Sequence, residues 1–272
     1  MVDDEAFSLK NLISLKDRRA LITGATGGFG LQITLILAEL GAELILLDQP
    51  GSDFSSVLKK IRQSDNPDAE IIDCDLEDET SRSKLIKKLN NQPKGLNILV
   101  NNAAFVGTTN LEGWNTNFQQ QSLDTWRRTL EVNLTTIFDL SKGLAKKLKK
   151  SGKGSIINIG SIYGTLAPDY SLYEGTEMGN PAAYAVSKGG LIQLTRWLST
   201  TLAPEVRVNA ISPGGVFRDQ PKNLVQRYIK KTPLSRMARD EDIKGVMAFL
   251  ASDLSSYITG QNIMMDGGFS VW

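Results

Sequence analysis

Residues 19–33 read RALITGATGGFGLQI: a short apolar run, a glycine-rich turn and the opening of an amphipathic segment. Gly24, Gly28 and Gly30 give the spacing GxxxGxG and not GxGxxG. The physics of the two patterns is shared. Glycines let backbone amides approach a pyrophosphate, and the N-terminus of the following helix favours its negative charge. A glycine turn with no ligand would look the same in isolation, so the stretch gains its meaning from its place after a first strand and from the strands downstream of it.

Apolar, β-rich runs recur at 43–47 (ELILL), 69–73 (AEIID), 96–100 (LNILV), 154–159 (GSIINI), 206–211 (VRVNAI) and 261–265 (QNIMM). Their lengths and flanking turn residues favour strands. Between them lie helix-length amphipathic segments, among them LQITLILAEL, TSRSKLIKKLN and DTWRRTLEVNLTTIFDLSKGLAKKLKK. This alternation implies right-handed βαβ crossovers and a parallel sheet covered on both faces. The expected fold is a doubly wound, Rossmann-type α/β three-layer sandwich with a seven-stranded parallel sheet. No repeat, low-complexity stretch or linker interrupts 20–268. Residues 18–272 are therefore expected to form one domain, preceded by a lead-in over 1–17.

Composition narrows the chemistry. Hydrophobic residues make up 41% and charged residues 22% of the 272, as in an ordinary globular chain, and the net charge of +1 gives no reason to bind nucleic acid or an anionic membrane. One cysteine, Cys74, excludes an intrachain disulfide and is read as a packing residue. With no histidine at all, Ser-His-Asp and Cys-His systems and the usual zinc sites are excluded, and acid–base work falls to Tyr, Lys, Asp or Glu. No metal is implied. The charged N-terminus and the absence of a membrane-length apolar run lead to the expectation of a cytoplasmic protein. The basic run 145–154, AKKLKKSGKG, is read as lysines favoured at a helix C-terminus.

The cofactor end is read from strand termini. Asp48 ends the second strand, 18 residues after Gly30, close to the roughly 20 expected of a carboxylate that accepts from a ribose 2′-hydroxyl. It would repel a 2′-phosphate, and no Arg or Lys stands beside it to compensate, so NAD is favoured over NADP. A strand-end Asp capping a turn is the alternative. In DCDLED, Asp75 and Leu76 could flank an adenine, although a solvated acidic turn reads the same way. The fourth strand runs into NNAA, where Asn102, Ala103 and Ala104 leave room for a cofactor or simply make a tight turn.

The catalytic end is sought among four tyrosines between Ser161 and Lys188. One helical turn on, Tyr163 meets Ala167, Tyr170 meets Glu174 and Tyr173 meets Glu177, whereas Tyr184 meets Lys188. A carboxylate raises a phenol's pKa and an ammonium lowers it, so Tyr184 is the candidate. Prolines and glycines before 181 make that segment a poor helix, and the first three tyrosines are expected to lack a fixed partner. Asn180 is the expected N-cap of the next helix, with Pro181 at its first position, running to about Leu202. Ser161 at the end of the fifth strand and Asn133 in EVNL are expected on the same side as the glycine turn.

Jointly TGATGGFG, NNAA, the Asn of EVNL, Ser161, YAVSK, ISPGGV and the closing FLASDLSSYITGQNIMMDGG resemble the short-chain dehydrogenase/reductase family, over about 16–270. The resemblance implies hydride transfer between an alcohol/carbonyl pair and a nicotinamide. It makes Tyr184 the general acid or base and has Lys188 lower its pKa and hold the nicotinamide ribose. Ser161 bonds the substrate oxygen, and Asn133 holds a water that links Lys188 to solvent. Cofactor contacts are implied at Gly24, Thr26, Gly28, Phe29, Gly30, Asp48, Asp75, Leu76, Asn102, Ala103, Ala104, Tyr184, Lys188, Pro213, Gly214 and Val216. The family's usual assembly is a homotetramer, sometimes a dimer, with helices such as 122–150 and 181–203 at the interfaces. A 3-oxoacyl-type reductase, a non-redox epimerase or lyase, and a non-catalytic nucleotide-binding scaffold are the other readings of such a chain.

Three departures stand out. Ser161 and Tyr184 are 23 positions apart, farther than in most members, and the excess falls in APDYSLYEGTEMGNP. A second enlargement comes after NNAA, in FVGTTNLEGWNTNFQQQ. These are either plain surface insertions or polar, aromatic lids (Trp114, Asn115, Tyr170, Tyr173, Glu174) for a small polar substrate such as a sugar derivative. Where the family commonly has a threonine touching the nicotinamide amide stands Arg218, in a substrate loop expected at about 216–238. It could meet an anionic substrate group or face water.

Overall fold

The computed structural model describes residues 7–62, 68–106 and 109–272. Its centre is one parallel sheet of seven strands: β1 (Arg19–Thr23), β2 (Glu43–Asp48), β3 (Ala69–Asp73), β4 (Ile98–Asn101), β5 (Gly154–Ile159), β6 (Val206–Pro213) and β7 (Asn262–Met265). The order is β3-β2-β1-β4-β5-β6-β7. The direction of winding reverses between β1 and β4, whose C-terminal ends open the crevice in which such sheets bind ligands.

Alternation along the strands explains both layers. Ala20 and Ile22 point into one core and Leu21 into the other, so strands buried on both faces read as continuous apolar runs. The lead-in carries one short helix, α1 (Leu9–Ile13); its residues 1–6 lie outside the described residues, as do 107–108 of the second enlargement. The first core is closed by α2 (Gly28–Glu39), α3 (Ser55–Ile61) and α9 (Ile243–Ala251). The second is closed by α4 (Glu79–Asn91), α6 (Thr136–Lys150) and α7 (Ala182–Thr201). A further helix, α8 (Lys222–Lys230), lies between β6 and α9, inside the expected substrate loop.

The helix expected over 122–150 is not continuous. α5 (Leu123–Leu130) passes through a π-helical turn, Glu131–Thr135, before α6 begins. A hydrophobic period cannot reveal one extra residue in a turn. Buried Arg82 braces it from α4, pairing with Glu131 at 2.6 Å and Asp139 at 3.1 Å while donating to the carbonyls of Leu76 and Glu77.

The start of α7 also differs from expectation. Asn180 makes no cap hydrogen bond; the backbone N–H of Ala182 donates instead to Gln121 Oε1 at 3.1 Å, a residue of the other enlargement. Both amide atoms of Asn180 are buried and have no partner among the described residues.

Candidate active site

The residues expected to touch a dinucleotide, Gly24 through Val216, all line one cavity of about 660 Å³ at the C-terminal ends of β1 to β6. A cradle for a pyrophosphate is present at its glycine end. Gly24 takes φ +64°, and a Cβ on Gly30 would stand 1.9 Å from the Gly24 carbonyl oxygen, so only glycine lets the turn close there. No side chain caps the N-terminus of α2, leaving its amides to face the cavity. The donor set fits a dinucleotide.

Asn102 holds this cradle from behind, its Nδ2 donating to the carbonyls of Thr23 and Gly24 at 3.0 and 2.9 Å. Asp48 does cap a turn, the alternative role for a strand-end Asp: its Oδ2 accepts from Thr26 N at 2.9 Å and Thr26 Oγ1 at 2.7 Å, and its Oδ1 from Gln49 N at 2.9 Å. Oδ2 is filled by its two bonds, but Oδ1 accepts only one and keeps a site for a further donor, so capping and ribose binding are compatible. Asp75 likewise closes its own turn, accepting from Glu77 N. Leu76 is buried against the second core. Cys74 packs beside it, and burial pushes its thiol up to about 11.

At the other end, β5 delivers Ser161 and the first turn of α7 delivers Tyr184 and, one turn later, Lys188. The Ser161 hydroxyl and the Tyr184 phenol face the same cavity, close enough for the hydroxyl to favour the phenolate. Lys188 Nζ lies 5.8 Å from the Tyr184 ring centroid and donates to the Ile159 carbonyl at 2.8 Å. The electrostatics correct the simple expectation. Burial raises the phenol and the Ser161 hydroxyl opposes it; the ammonium, 5.8 Å from the ring centroid, does not reverse the sign. Burial lowers Lys188 itself to about 8.

Asn133 is buried in the π-turn and does not line the cavity. Its Oδ1 accepts from Phe105 N at 2.7 Å, and its Nδ2 donates to Phe105 O at 3.0 Å and to Ser187 Oγ at 3.2 Å. The side chain thus ties the segment after β4 to α7, next to Lys188.

Two of the three tyrosines expected to lack a fixed partner have one, each other. Tyr163 Oη and Tyr173 Oη are 2.5 Å apart, both line the cavity, and burial raises both phenols. The segment is not helical at Tyr173, so the sequence test at one helical turn did not apply to it. Of the expected lid residues, Tyr173 alone lines the cavity. Trp114 is 2% exposed and donates to Val106 O, and Asn115 braces the insertion through Glu177 O. Tyr170 faces outward. Sequence reasoning passed over Tyr228, which accepts from Gly215 N at 2.5 Å and stacks on Phe269, fixing the turn after β6. Arg218 neither faces water alone nor points at the catalytic end; it pairs with Asp240 at 2.6 Å. Among the described residues no His/Cys/Asp/Glu group could hold a metal, and no helix is long and apolar enough to cross a membrane.

Comparison with known proteins agrees with this geometry. The model of a family described as enoyl-(acyl carrier protein) reductase matches residues 24–270. A 3-oxoacyl-(acyl-carrier-protein) reductase of Aquifex aeolicus is 33% identical, over 94% of this chain and 98% of the relative. The solved short-chain dehydrogenase of Leptospira borgpetersenii with bound NAD+ is 35% identical, covers 97% of each chain and superposes with a TM-score of 0.82. An NAD+-bound xylitol dehydrogenase is 29% identical, with 93% of this chain and 99% of that chain covered and a TM-score of 0.81. The chain belongs to the short-chain dehydrogenase/reductase family. It is an NAD(P)-dependent oxidoreductase acting on an alcohol/carbonyl pair.

Proposed function

We propose that the protein is an NAD-dependent dehydrogenase of a small secondary alcohol that carries further hydroxyl groups, a sugar derivative or similar polyol. The observation that carries this reading is the Tyr163–Tyr173 pair: two phenol hydroxyls, bonded to each other at 2.5 Å, on the wall that continues from Ser161. Tyr163 N also donates to Ser161 Oγ, so the pair and the reacting oxygen's partner form one polar strip. Phenols offer rings for sugar faces and hydroxyls for sugar edges. The xylitol dehydrogenase resemblance supports the same substrate class.

In this reading Tyr184 gives its phenolic proton to the substrate oxygen during reduction and takes it back during oxidation. Ser161 holds that oxygen and stabilises the charge that develops there. A bound nicotinamide would accept the hydride as NAD+ during oxidation or supply it as NADH during reduction. Lys188 stabilises the phenolate and would hold the nicotinamide ribose. Asn133, its amide engaged with Phe105 and Ser187, positions α7 beside Lys188, and any water linking Lys188 to solvent would have to bind the π-turn backbone. Asp48 selects NAD by accepting from the ribose 2′-hydroxyl. Residues 18–272 act as one domain whose substrate loop, about 216–238, closes over the site. The assembly is a cytoplasmic homotetramer, supported by the exposed Phe138, Val186 and Trp197 on the long helices α6 and α7.

NADH formation across polyols, sugar acids and hydroxyacyl thioesters tests the reading, together with a variant in which 169–180 is replaced by a short loop. Turnover of polyols that falls in the loop variant supports it. Turnover confined to acyl thioesters, or an unchanged preference in the loop variant, overturns it.

A further inference from the structure

The position that departs most from the family pattern, Arg218, lies on the glycine end of the cavity. Its Nη2 is 2.6 Å from Asp240 Oδ1, and its guanidinium carbon is 5.8 Å from the centroid of Phe29. A Cβ built on Gly28 would come 2.7 Å from Arg218 Nη2 and 2.5 Å from Asp240 Oδ2, so the ion pair rests directly on the first residue of α2. That helix end presents uncapped amides and the positive pole of 12 aligned peptide units. Two positive features, a helix N-terminus and a guanidinium, therefore meet at one spot, and the carboxylate that balances them is Asp240. Arg218 and Asp240 are 43% and 29% exposed, and an ion pair so open to water contributes little by itself. Gly28, Phe29 and Arg218 line the cavity together.

We propose that Arg218 is a cofactor-positioning residue that exchanges Asp240 for the pyrophosphate of the dinucleotide, Asp240 being the resident anion that the cofactor displaces. Guanidinium recognition of phosphate is bidentate and matches two oxygens at once, which the single contact to Asp240 does not. The backbone of Arg218 is already tied down, its N–H donating to Gln220 Oε1 at 2.7 Å, so only the side chain needs to turn. The inference rests on dinucleotide binding by the family and not on the polyol substrate, and its test uses binding alone.

The exchange predicts opposite signs for the two partners. Equilibrium affinities for NAD+, ADP-ribose and adenosine are measured by calorimetry on the whole protein. Arg218→Ala should weaken NAD+ and ADP-ribose by about tenfold to a hundredfold, the loss of a charge-assisted contact, and leave adenosine unchanged. Arg218→Lys should recover part of the loss. Asp240→Asn, which removes the competing anion, should tighten NAD+ and ADP-ribose by a few fold and again leave adenosine unchanged. Weaker binding in both Arg218→Ala and Asp240→Asn would make the pair a structural brace and overturn the proposal. Unchanged NAD+ affinity in Arg218→Ala, or an equal loss for adenosine, would overturn it as well.

Discussion

Lys188 is a buried cation whose cost can be measured by removing it. Burial lowers it from its ordinary 10.5 to about 8, and burial is the sole cause of the shift. Between those values the unfolded chain binds more protons than the folded one, so this group makes stability rise with pH across that window. Below about 8 the whole penalty is present, roughly 3 kcal/mol at ~1.4 kcal/mol per pKa unit. Lys188→Met keeps the apolar stem and removes the charge, but leaves the Ile159 carbonyl without its 2.8 Å donor, a loss of about 1–2 kcal/mol. The variant without cofactor should thus be more stable than the parent by about 1–2 kcal/mol near pH 7, seen as a melting temperature higher by roughly 2–8 °C. Above about pH 10 the parent no longer carries the buried charge, and the order should invert. Paired thermal melts from pH 7 to 10.5 read the crossing. A variant that is less stable at every pH, with a flat difference, would refute the claim that desolvation dominates at Lys188.

Other consequences can be read from single substitutions. Arg82→Met strands Glu131 and Asp139 and frees the π-turn that carries Asn133; denaturant unfolding should show a loss of about 3 kcal/mol, and a loss below 1 would mean the brace is idle. Asp48→Ser should weaken NAD by about tenfold and lower the ratio of kcat/KM with NAD to kcat/KM with NADP; an unchanged ratio would leave Asp48 only its role as the cap of Thr26. Asn180→Leu replaces an amide that has no partner among the described residues and should be neutral or stabilising by about 1 kcal/mol in the same unfolding assay, with marked destabilisation counting against it.

What was legible in the sequence was local or periodic. Strand runs buried on both faces, the glycine turn and the Tyr184–Lys188 spacing each lie within one element and its neighbour. What escaped depends on side chains meeting across the chain. Gln121, and not Asn180, caps α7 because a distant loop reaches it first. Tyr163 and Tyr173 pair through irregular backbone, where no period predicts a neighbour. Trp114 looked like a lid because aromatic residues in polar loops suggest ligands, yet it is an anchor that fastens its own loop to Val106. The sign at Tyr184 escaped for another reason: a spacing of four reports proximity to an ammonium, whereas the depth of burial is set by the whole fold.

The central claim is that Tyr184 moves the proton while the surrounding cavity holds the dinucleotide. Tyr184→Phe removes one hydroxyl, the one beside Ser161, and leaves the ring over which Lys188 lies. NADH binding and NADH formation measured side by side on this variant are the direct test. Retained NADH affinity with turnover reduced by about a hundredfold or more is the expected result. Turnover equal to that of the parent would contradict the assignment.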